Sequence, residues 1–572
     1  MHTGNALAEE LKAHDVRHVF GVPGEQTLAL YDALNEEESI KHIVMRDERN
    51  LPYAGAAYAR VSGKVGVIDA TVGPGVAMLP VGLLEALRST TPLLAIASDV
   101  PVEYQPMSDN GAISQGMDQL AFLDPVTKWR SKAWKQDQVI RLARRAFQEA
   151  TGGVPGPTAV IIPQDVFNEK DAEASDSNSM VRGASGWYPR YRPLPDSAAL
   201  SAAMHVILQS ERPLLVAGGG VLHSGAEEQL RALAERLGIP VATTLTGKGS
   251  IREDHPLSLG VLGDLGTLAA KNAAEAADLI VHVGFRSGQN STFKWTLPST
   301  EQKVIHIDID PRQPGQFLHC DIPLVGDAAA TIEALLEIAQ KRGEDRQSLW
   351  LEQVSTWKAE WKKQVDQEVA SDGIPVLPQR VVGEITQVSN PQDVLVSDAS
   401  FSSGWAAVYY RIREAGRRVI LPRGMAGLGF GLPAAIGAKA ALPYQSIFLL
   451  AGDGGFAYSL GELITLKEYG LKVISVVLNN RSWGWMEFAA KANFDREYFS
   501  LPDVPFAKVA EAMGLNGIRI SRPNDLGPAL KDAVDSPESS VIEVESAVWE
   551  APLQSYRDIV ERQRGALAGA LS

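Results

Sequence analysis

The sequence predicts an α/β protein built from three doubly wound parallel-sheet domains. Three observations carry this. Strongly apolar, β-branched runs recur along the chain, helical patterns separate them, and two polar breaks divide them into three groups. Strands that are apolar on both faces and spaced by helices belong to parallel sheets covered on both sides.

In the first group the runs are HIVMRDE, VGVIDAT, LLAIASD and TAVIIPQD, after an amphipathic N-terminal helix that leads into a strand. The middle group holds PLLVAGGG, IPVATTL, LIVHVG and VIHIDID, and the last holds VLVSDAS, IFLLAGD, VISVVLNN and SVIEVES. Residues 169–196, EKDAEASDSNSMVRGASGWYPRYRPLPD, are polar and rich in Ser and Pro and read as a linker. Residues 340–378 carry a charged helical segment that ends on the breaker SDGIPVLP. Domains are therefore expected at 1–168, 190–340 and 375–550, followed by a helical tail over 551–572.

A chain of 572 residues exceeds one hydrophobic core. Its 45% hydrophobic and 22% charged residues are ordinary for a soluble protein. A formal net charge of −15 argues against nucleic acid and anionic membrane as partners, both of which need a basic surface. The single cysteine, Cys320, allows neither an intrachain disulfide nor a Cys-rich metal site. The N-terminus lacks the basic and apolar regions of a leader. No apolar run approaches the roughly 20 residues that span a bilayer. The expectation is a cytoplasmic protein acting on a small molecule.

The chemistry is concentrated in residues 451–480, AGDGGFAYSLGELITLKEYGLKVISVVLNN. An apolar strand ends at Asp453; Gly454 and Gly455 allow close backbone approach to an anion. A helix with Leu460, Leu463 and Ile464 on one face follows, closed by Gly470. A second strand then ends at Asn479-Asn480. A right-handed crossover puts both tips on the same carboxyl edge of the sheet, where ligands of open α/β sheets bind. Two hard oxygen ligands converging there suit Mg²⁺ held jointly with phosphate oxygens.

This pattern, with 24 residues between Gly454 and Asn479, resembles the signature of thiamine diphosphate-dependent enzymes of the acetolactate synthase, pyruvate decarboxylase and benzoylformate decarboxylase type. The resemblance runs from Met1 to about Glu550. It implies pyrimidine-binding, central and diphosphate-binding domains, and a homodimer or homotetramer with active sites between subunits. It makes Asp453, Asn480 and the Ser482 carbonyl the metal ligands. In MRDERNLPYAGAAYARVSGKVGV it assigns Glu48, ten residues before Tyr58-Ala59-Arg60, as the glutamate that favours the imino tautomer of the pyrimidine and so prepares the thiazolium carbon.

The rest of the site follows in the same way. Gly73 belongs to a Gly-Pro-Gly turn. Gln115, in GAISQGMDQLAFLDPVTKW, falls where a substrate-facing glutamine is expected. In PRGMAGLGFGLPAAIG, Leu428 matches the aliphatic wedge that bends the cofactor, and Ala426 the carbonyl facing the aminopyrimidine. Ser400 and Phe401 would contact the diphosphate through backbone, as would Gly454 and Gly455; Asn480 and Trp483 are further expected contacts to the cofactor.

The ten histidines lie at 2, 14, 18, 42, 205, 223, 255, 282, 306 and 319, with none between 43 and 204 and none after 319. The histidine acid–base systems of pyruvate decarboxylase-like and benzoylformate decarboxylase-like enzymes are therefore missing. That leans toward a carbanion attacking a second carbonyl, or formed by cleavage of a hydroxyacyl compound. Glu487, seven residues past Asn480, is expected to supply acid–base catalysis over the thiazolium, with Trp485 and Phe488 as apolar neighbours. Acetolactate synthase-like carboligation is the leading expectation. The alternatives are a 2-hydroxyacyl-CoA lyase, a 2-oxo acid decarboxylase and a non-catalytic nucleotide-binding regulator. The central domain carries VGFRSGQNSTFKWTLP in place of the FAD-associated run of acetolactate synthases, which leaves FAD, an ADP or CoA moiety, or no ligand open there.

Overall fold

A computed structural model of the chain describes residues 2–108, 111–170, 187–339, 344–556 and 560–561. The expected linker is described only at 169–170 and 187–196, and the tail beyond Tyr556 lies outside the described residues apart from 560–561.

Among the described residues, eighteen strands form three six-stranded parallel sheets. The first holds β1 (His18–Val22), β2 (Lys41–Val44), β3 (Gly66–Ala70), β4 (Leu93–Asp99), β5 (Trp129–Lys132) and β6 (Pro157–Pro163), in the order β2-β1-β3-β4-β6-β5. The second holds β7 (Pro213–Ala217), β8 (Val241–Thr243), β9 (Ser258–Val261), β10 (Leu279–Val283), β11 (Lys303–Asp308) and β12 (Ile322–Val325), in the order β12-β11-β10-β7-β8-β9. The third holds β13 (Val394–Ser397), β14 (Val419–Ile420), β15 (Ile447–Gly452), β16 (Val473–Asn479), β17 (Asn516–Ile520) and β18 (Ser540–Glu545), in the order β14-β13-β15-β16-β18-β17. Central strands such as β4, β6 and β16 are buried at every residue, as their unbroken apolar runs require.

Contacts gather the chain into two compact units. One comprises Met1–Tyr191, Pro422–Ile447 and Tyr458–Val473; the other comprises Arg192–Leu421, Phe448–Ala457 and Ile474–Ser572. In the first unit, the helix Gly431–Ala441 packs on the helix Leu51–Ser62 through small residues. A Cβ at Gly437 would lie 1.9 Å from the Ala54 carbonyl oxygen, so the two backbones touch only because that position is glycine.

The helix Glu462–Tyr469 differs in detail from the sequence expectation. It is preceded by a separate short helix, Asp453–Ala457, and its buried face is Glu462, Leu463, Thr465 and Leu466, while Ile464 is 44% exposed. Gly470 closes it at φ 60°, the left-handed cap that glycine adopts without steric cost.

Candidate active site

In the first unit the loop after β2 presents Glu48 at the start of the short turn Glu48–Asn50. Asp47 caps this turn, accepting the Arg49 N–H at 2.9 Å. Glu48 is half-buried. A Cβ on Gly75 would lie 3.6 Å from Glu48 Oε1, and one on Gly73 would lie 2.8 Å from Gln115 Cβ. The Gly73-Pro74-Gly75 turn thus brings Glu48 and Gln115 to its two glycines. Gly73 and Gln115 both have positive φ, 68° and 65°, and Gln115 is exposed.

The residues flanking Glu48 are held by Glu462, which is fully buried. Its Oε1 accepts from the Asn50 side-chain amide at 2.8 Å and the Arg46 N–H at 3.1 Å, and its Oε2 from the Thr465 hydroxyl at 2.7 Å. Burial pushes this carboxyl above its ordinary pKa of 4.5, against the pull of these donors. Elsewhere in the same unit, Ala426 takes φ 54° and Leu428 is half-buried. The N–H groups of Gly424, Met425 and Ala426 all point at Glu85.

In the second unit, β15 and β16 are neighbours, and Asp453 and Asn480 directly follow their carboxyl ends. Asp453 is 6% exposed. Its Oδ1 accepts from Gly454 N–H at 2.7 Å and its Oδ2 from Arg481 N–H at 2.6 Å. Burial nevertheless pushes its carboxyl up to about 6, outweighing these donors. Asn480 Oδ1 accepts from Ser482 N–H at 3.1 Å. The paired asparagines have divided their roles: Asn479 is buried and its amide donates to Glu543 Oε1 at 2.8 Å, a structural tie, whereas Asn480 is half-buried beside Asp453.

The glycines after Asp453 are needed by their neighbours. A Cβ on Gly454 would lie 2.5 Å from the Trp483 ring, and one on Gly455 would lie 3.1 Å from Asp398 Cγ. Ser400, at φ 65°, opens the helix Phe401–Tyr409, and the Phe401 ring packs on Trp485 and Phe488. Among the described residues no group of three or more His, Cys, Asp or Glu is placed to hold a metal. A cation here would draw on the Asp453 carboxylate, neutral oxygens of Asn480 and Ser482, and oxygens from a ligand. That is a hard, incomplete donor set, and it fits Mg²⁺ bound with a diphosphate.

Glu487 lies on the helix Gly484–Phe494 and is 4% exposed. Its Oε2 accepts the Tyr498 N–H at 3.1 Å, and its Oε1 accepts the Phe499 N–H. The segment 499–501 in turn pairs with the 481–483 loop, through Trp483 N–H to the Phe499 carbonyl at 2.9 Å and Leu501 N–H to the Arg481 carbonyl at 2.6 Å. Phe488 is wholly buried against Phe401, Trp549 and Tyr556.

Three family models match the chain: the thiamine pyrophosphate enzyme N-terminal TPP-binding domain over residues 1–122, the central domain over 200–335, and the C-terminal TPP-binding domain over 398–544. The chain belongs to the thiamine pyrophosphate enzyme family. It is 34% identical over 558 residues to the probable acetolactate synthase large subunit of Methanocaldococcus jannaschii, covering 95% of this chain and 92% of that protein. It is 31% identical over 544 residues to the acetolactate synthase large subunit of Lactococcus lactis, covering 94% and 91%. It is 30% identical over 534 residues to the acetolactate synthase isozyme 3 large subunit of Escherichia coli, covering 91% and 90%. This family member is a thiamine diphosphate-dependent enzyme of carbon–carbon bond chemistry. Among its described residues no helix is long and apolar enough to cross a membrane.

In the central domain each glycine of the 218–220 run meets protein. Cβ atoms on Gly218 and Gly220 would lie 2.0 Å from Gly284 O and 2.6 Å from Gly284 Cα, and one on Gly219 would lie 3.2 Å from Thr246 Oγ1. The run is explained by backbone packing, so it does not by itself indicate a phosphate. Asp308, at the end of β11, is buried and pushed up to about 6.

Sequence reasoning missed Glu85, Asp398 and Glu462 as parts of this architecture. Glu85 and Glu462 carried a usable signal: each is a lone carboxylate among apolar residues, in LPVGLLEAL and SLGELITL.

Proposed function

We propose that this enzyme is a thiamine diphosphate- and Mg²⁺-dependent carboligase that forms the bond between an acyl unit from a 2-oxo acid and a second carbonyl compound. The observation that carries the reading is the buried Asp453 beside Asn480 at the carboxyl ends of adjacent strands. The missing histidines and the names of the relatives favour ligation over simple decarboxylation.

When bound, the cofactor supplies a thiazolium carbon that acts as nucleophile and electron sink. Asp453, Asn480 and the Ser482 carbonyl would hold the cation, and backbone of Ser400, Phe401, Gly454 and Gly455 would receive the diphosphate. Glu48 would exchange a proton with the pyrimidine ring. The Ala426 carbonyl would accept from the ring's amine, and Leu428 would brace the bent shape. Gln115 would face the substrate. Acid–base groups of this kind contribute about 100- to 10,000-fold.

We also propose a homodimer or homotetramer in which one protomer supplies Glu48 and the other chain supplies the partner's Asp453. Met78, Val81, Met425, Tyr458 and Ile464 are 42–55% exposed in the isolated chain, apolar surface that a second copy can cover. The lone Cys320 suits a reducing cytoplasm.

The test is a screen that follows carbon dioxide release, carbon–carbon ligation and acyl-CoA cleavage separately. Ligated product from a 2-oxo acid supports the proposal. Carbon dioxide release without ligation returns it to a decarboxylase, acyl-CoA cleavage to a lyase, and inactivity of the cofactor-loaded protein in all three to a non-catalytic role.

A further inference from the structure

We infer that Glu85 is a positioning residue for the 424–428 segment, acting through Ala426; this rests on the thiamine diphosphate reading of that segment. Glu85 lies on the helix Pro80–Arg88 and is 2% exposed. Its Oε1 accepts the Gly424 N–H at 2.8 Å and the Ser89 hydroxyl at 2.7 Å. Its Oε2 accepts the Met425 N–H at 2.6 Å and the Ala426 N–H at 3.1 Å. Three successive backbone donors therefore converge on one carboxylate, the concavity that peptide N–H groups form around an anion. With the hydroxyl, four donors match the roughly four lone-pair sites a carboxylate offers.

The fit is close on both sides. A Cβ on Gly424 would lie 2.5 Å from the Glu85 carbonyl oxygen and 2.9 Å from Ser89 Oγ, so only glycine lets the segment reach the helix. Ala426 has φ 54°, a left-handed conformation that costs a residue with a Cβ and that glycine takes freely. An alanine held there needs a fixed partner, and the charge-assisted bond from its N–H to Glu85 is the stronger kind. The half-buried Arg60 and Arg423 guanidinium groups feel the same Glu85 charge, which offsets part of the desolvation that pushes both down. The carboxylate thus fixes the orientation of the one carbonyl proposed to face the aminopyrimidine, two residues before the proposed wedge.

The experiment compares wild type, Glu85→Gln, Ala426→Gly and the double variant as full-length protein. Hydrogen exchange of the 424–426 amides is read without cofactor. Thiamine diphosphate affinity with Mg²⁺ is read by calorimetry, and the amino–imino balance of bound cofactor by near-ultraviolet circular dichroism. In Glu85→Gln, 424–426 exchange and the cofactor dissociation constant should each rise at least about tenfold, the scale of one lost charge-assisted bond. The dichroism bands should shift, and Ala426→Gly should restore part of the affinity because glycine needs no clamp. Unchanged exchange and affinity in Glu85→Gln overturn the inference. So does a loss that follows global melting and is not relieved by Ala426→Gly. A wild type that binds no thiamine diphosphate overturns the cofactor reading instead, and the amide exchange still reports on the clamp.

Discussion

Asn50 donates its side-chain amide to Glu462 Oε1 at 2.8 Å, and the same oxygen takes the Arg46 N–H at 3.1 Å. The residues on either side of Glu48 are thus tied to one buried carboxylate from the helix Glu462–Tyr469. Removing the carboxylate by Glu462→Ala leaves buried donors unpaired and should cost about 1–3 kcal/mol per group left unsatisfied. Denaturant unfolding measures it. A change within about 0.5 kcal/mol, the range of an ordinary surface substitution, would show that the tie carries no weight.

The same residue gives a pH prediction. Burial raises the Glu462 pKa above its ordinary 4.5, so the folded chain holds this proton more tightly than the unfolded chain. Its contribution is full below 4.5 and is lost as pH rises through the higher folded value. Glu462→Gln cannot titrate. It should be less stable than wild type at pH 4.5, with the gap narrowing as pH rises; a gap that stays constant between pH 4.5 and 7.5 contradicts the assignment.

Asp453→Ala should abolish metal-dependent uptake of thiamine diphosphate, and chelation of divalent metal should do the same to wild type. Calorimetry that finds equal, metal-independent binding in both proteins would remove Asp453 from the metal site.

Glu48→Gln keeps shape and hydrogen-bonding length but cannot exchange the pyrimidine proton. It should bind the cofactor with Mg²⁺ and slow exchange of the thiazolium C2 proton by about 100-fold or more. NMR exchange at the wild-type rate would mean that another group does this work.

Glu487 separates two roles. Both its oxygens accept backbone N–H groups of Tyr498 and Phe499, so Glu487→Gln must disturb at least one of them. As a brace of the 481–483 loop, the variant should speed amide exchange over 495–501 and weaken metal-dependent binding while leaving the pH–rate profile in place. As an acid–base group, it should retain thiamine diphosphate, lose at least about tenfold in turnover and change that profile.

Much of this architecture was legible in the sequence because buried parallel strands must be apolar on both faces. The five strands without a marked apolar run, β5, β9, β12, β14 and β17, all lie at sheet edges. There they are short, as in the two residues of β14, or partly solvated, as in β17, and the apolar signal fades. Gly470 was legible as a helix cap because its conformation is a local demand. Ile464 was misplaced because helical spacing gives a period but not its phase; Glu462 and Thr465, joined by a hydrogen bond, occupy the buried face instead. The juxtaposition of Asp453 and Asn480 could be read because the ends of neighbouring strands in such a fold converge by topology. Glu85 and Glu462 stood out as lone carboxylates, but the distant segments they hold could not be read, because those partners lie 339–341 and 412–416 residues away in the chain.

The close seat of Gly437 on Ala54 bears on how this protein can be taken apart or recombined. The first unit is discontinuous, since its contacts include Pro422–Ile447 and Tyr458–Val473. A fragment ending at Tyr191 would lack the helix that covers Leu51–Ser62 and would expose a face of alanine and glycine evolved for backbone contact. Chimaeras assembled from relatives as contiguous blocks meet the same obstacle: crossover points that look neutral along the chain would pair a helix shaped for glycine with a partner that carries a side chain. The exchangeable module is the set 51–62, 431–441 and 462–469, moved together.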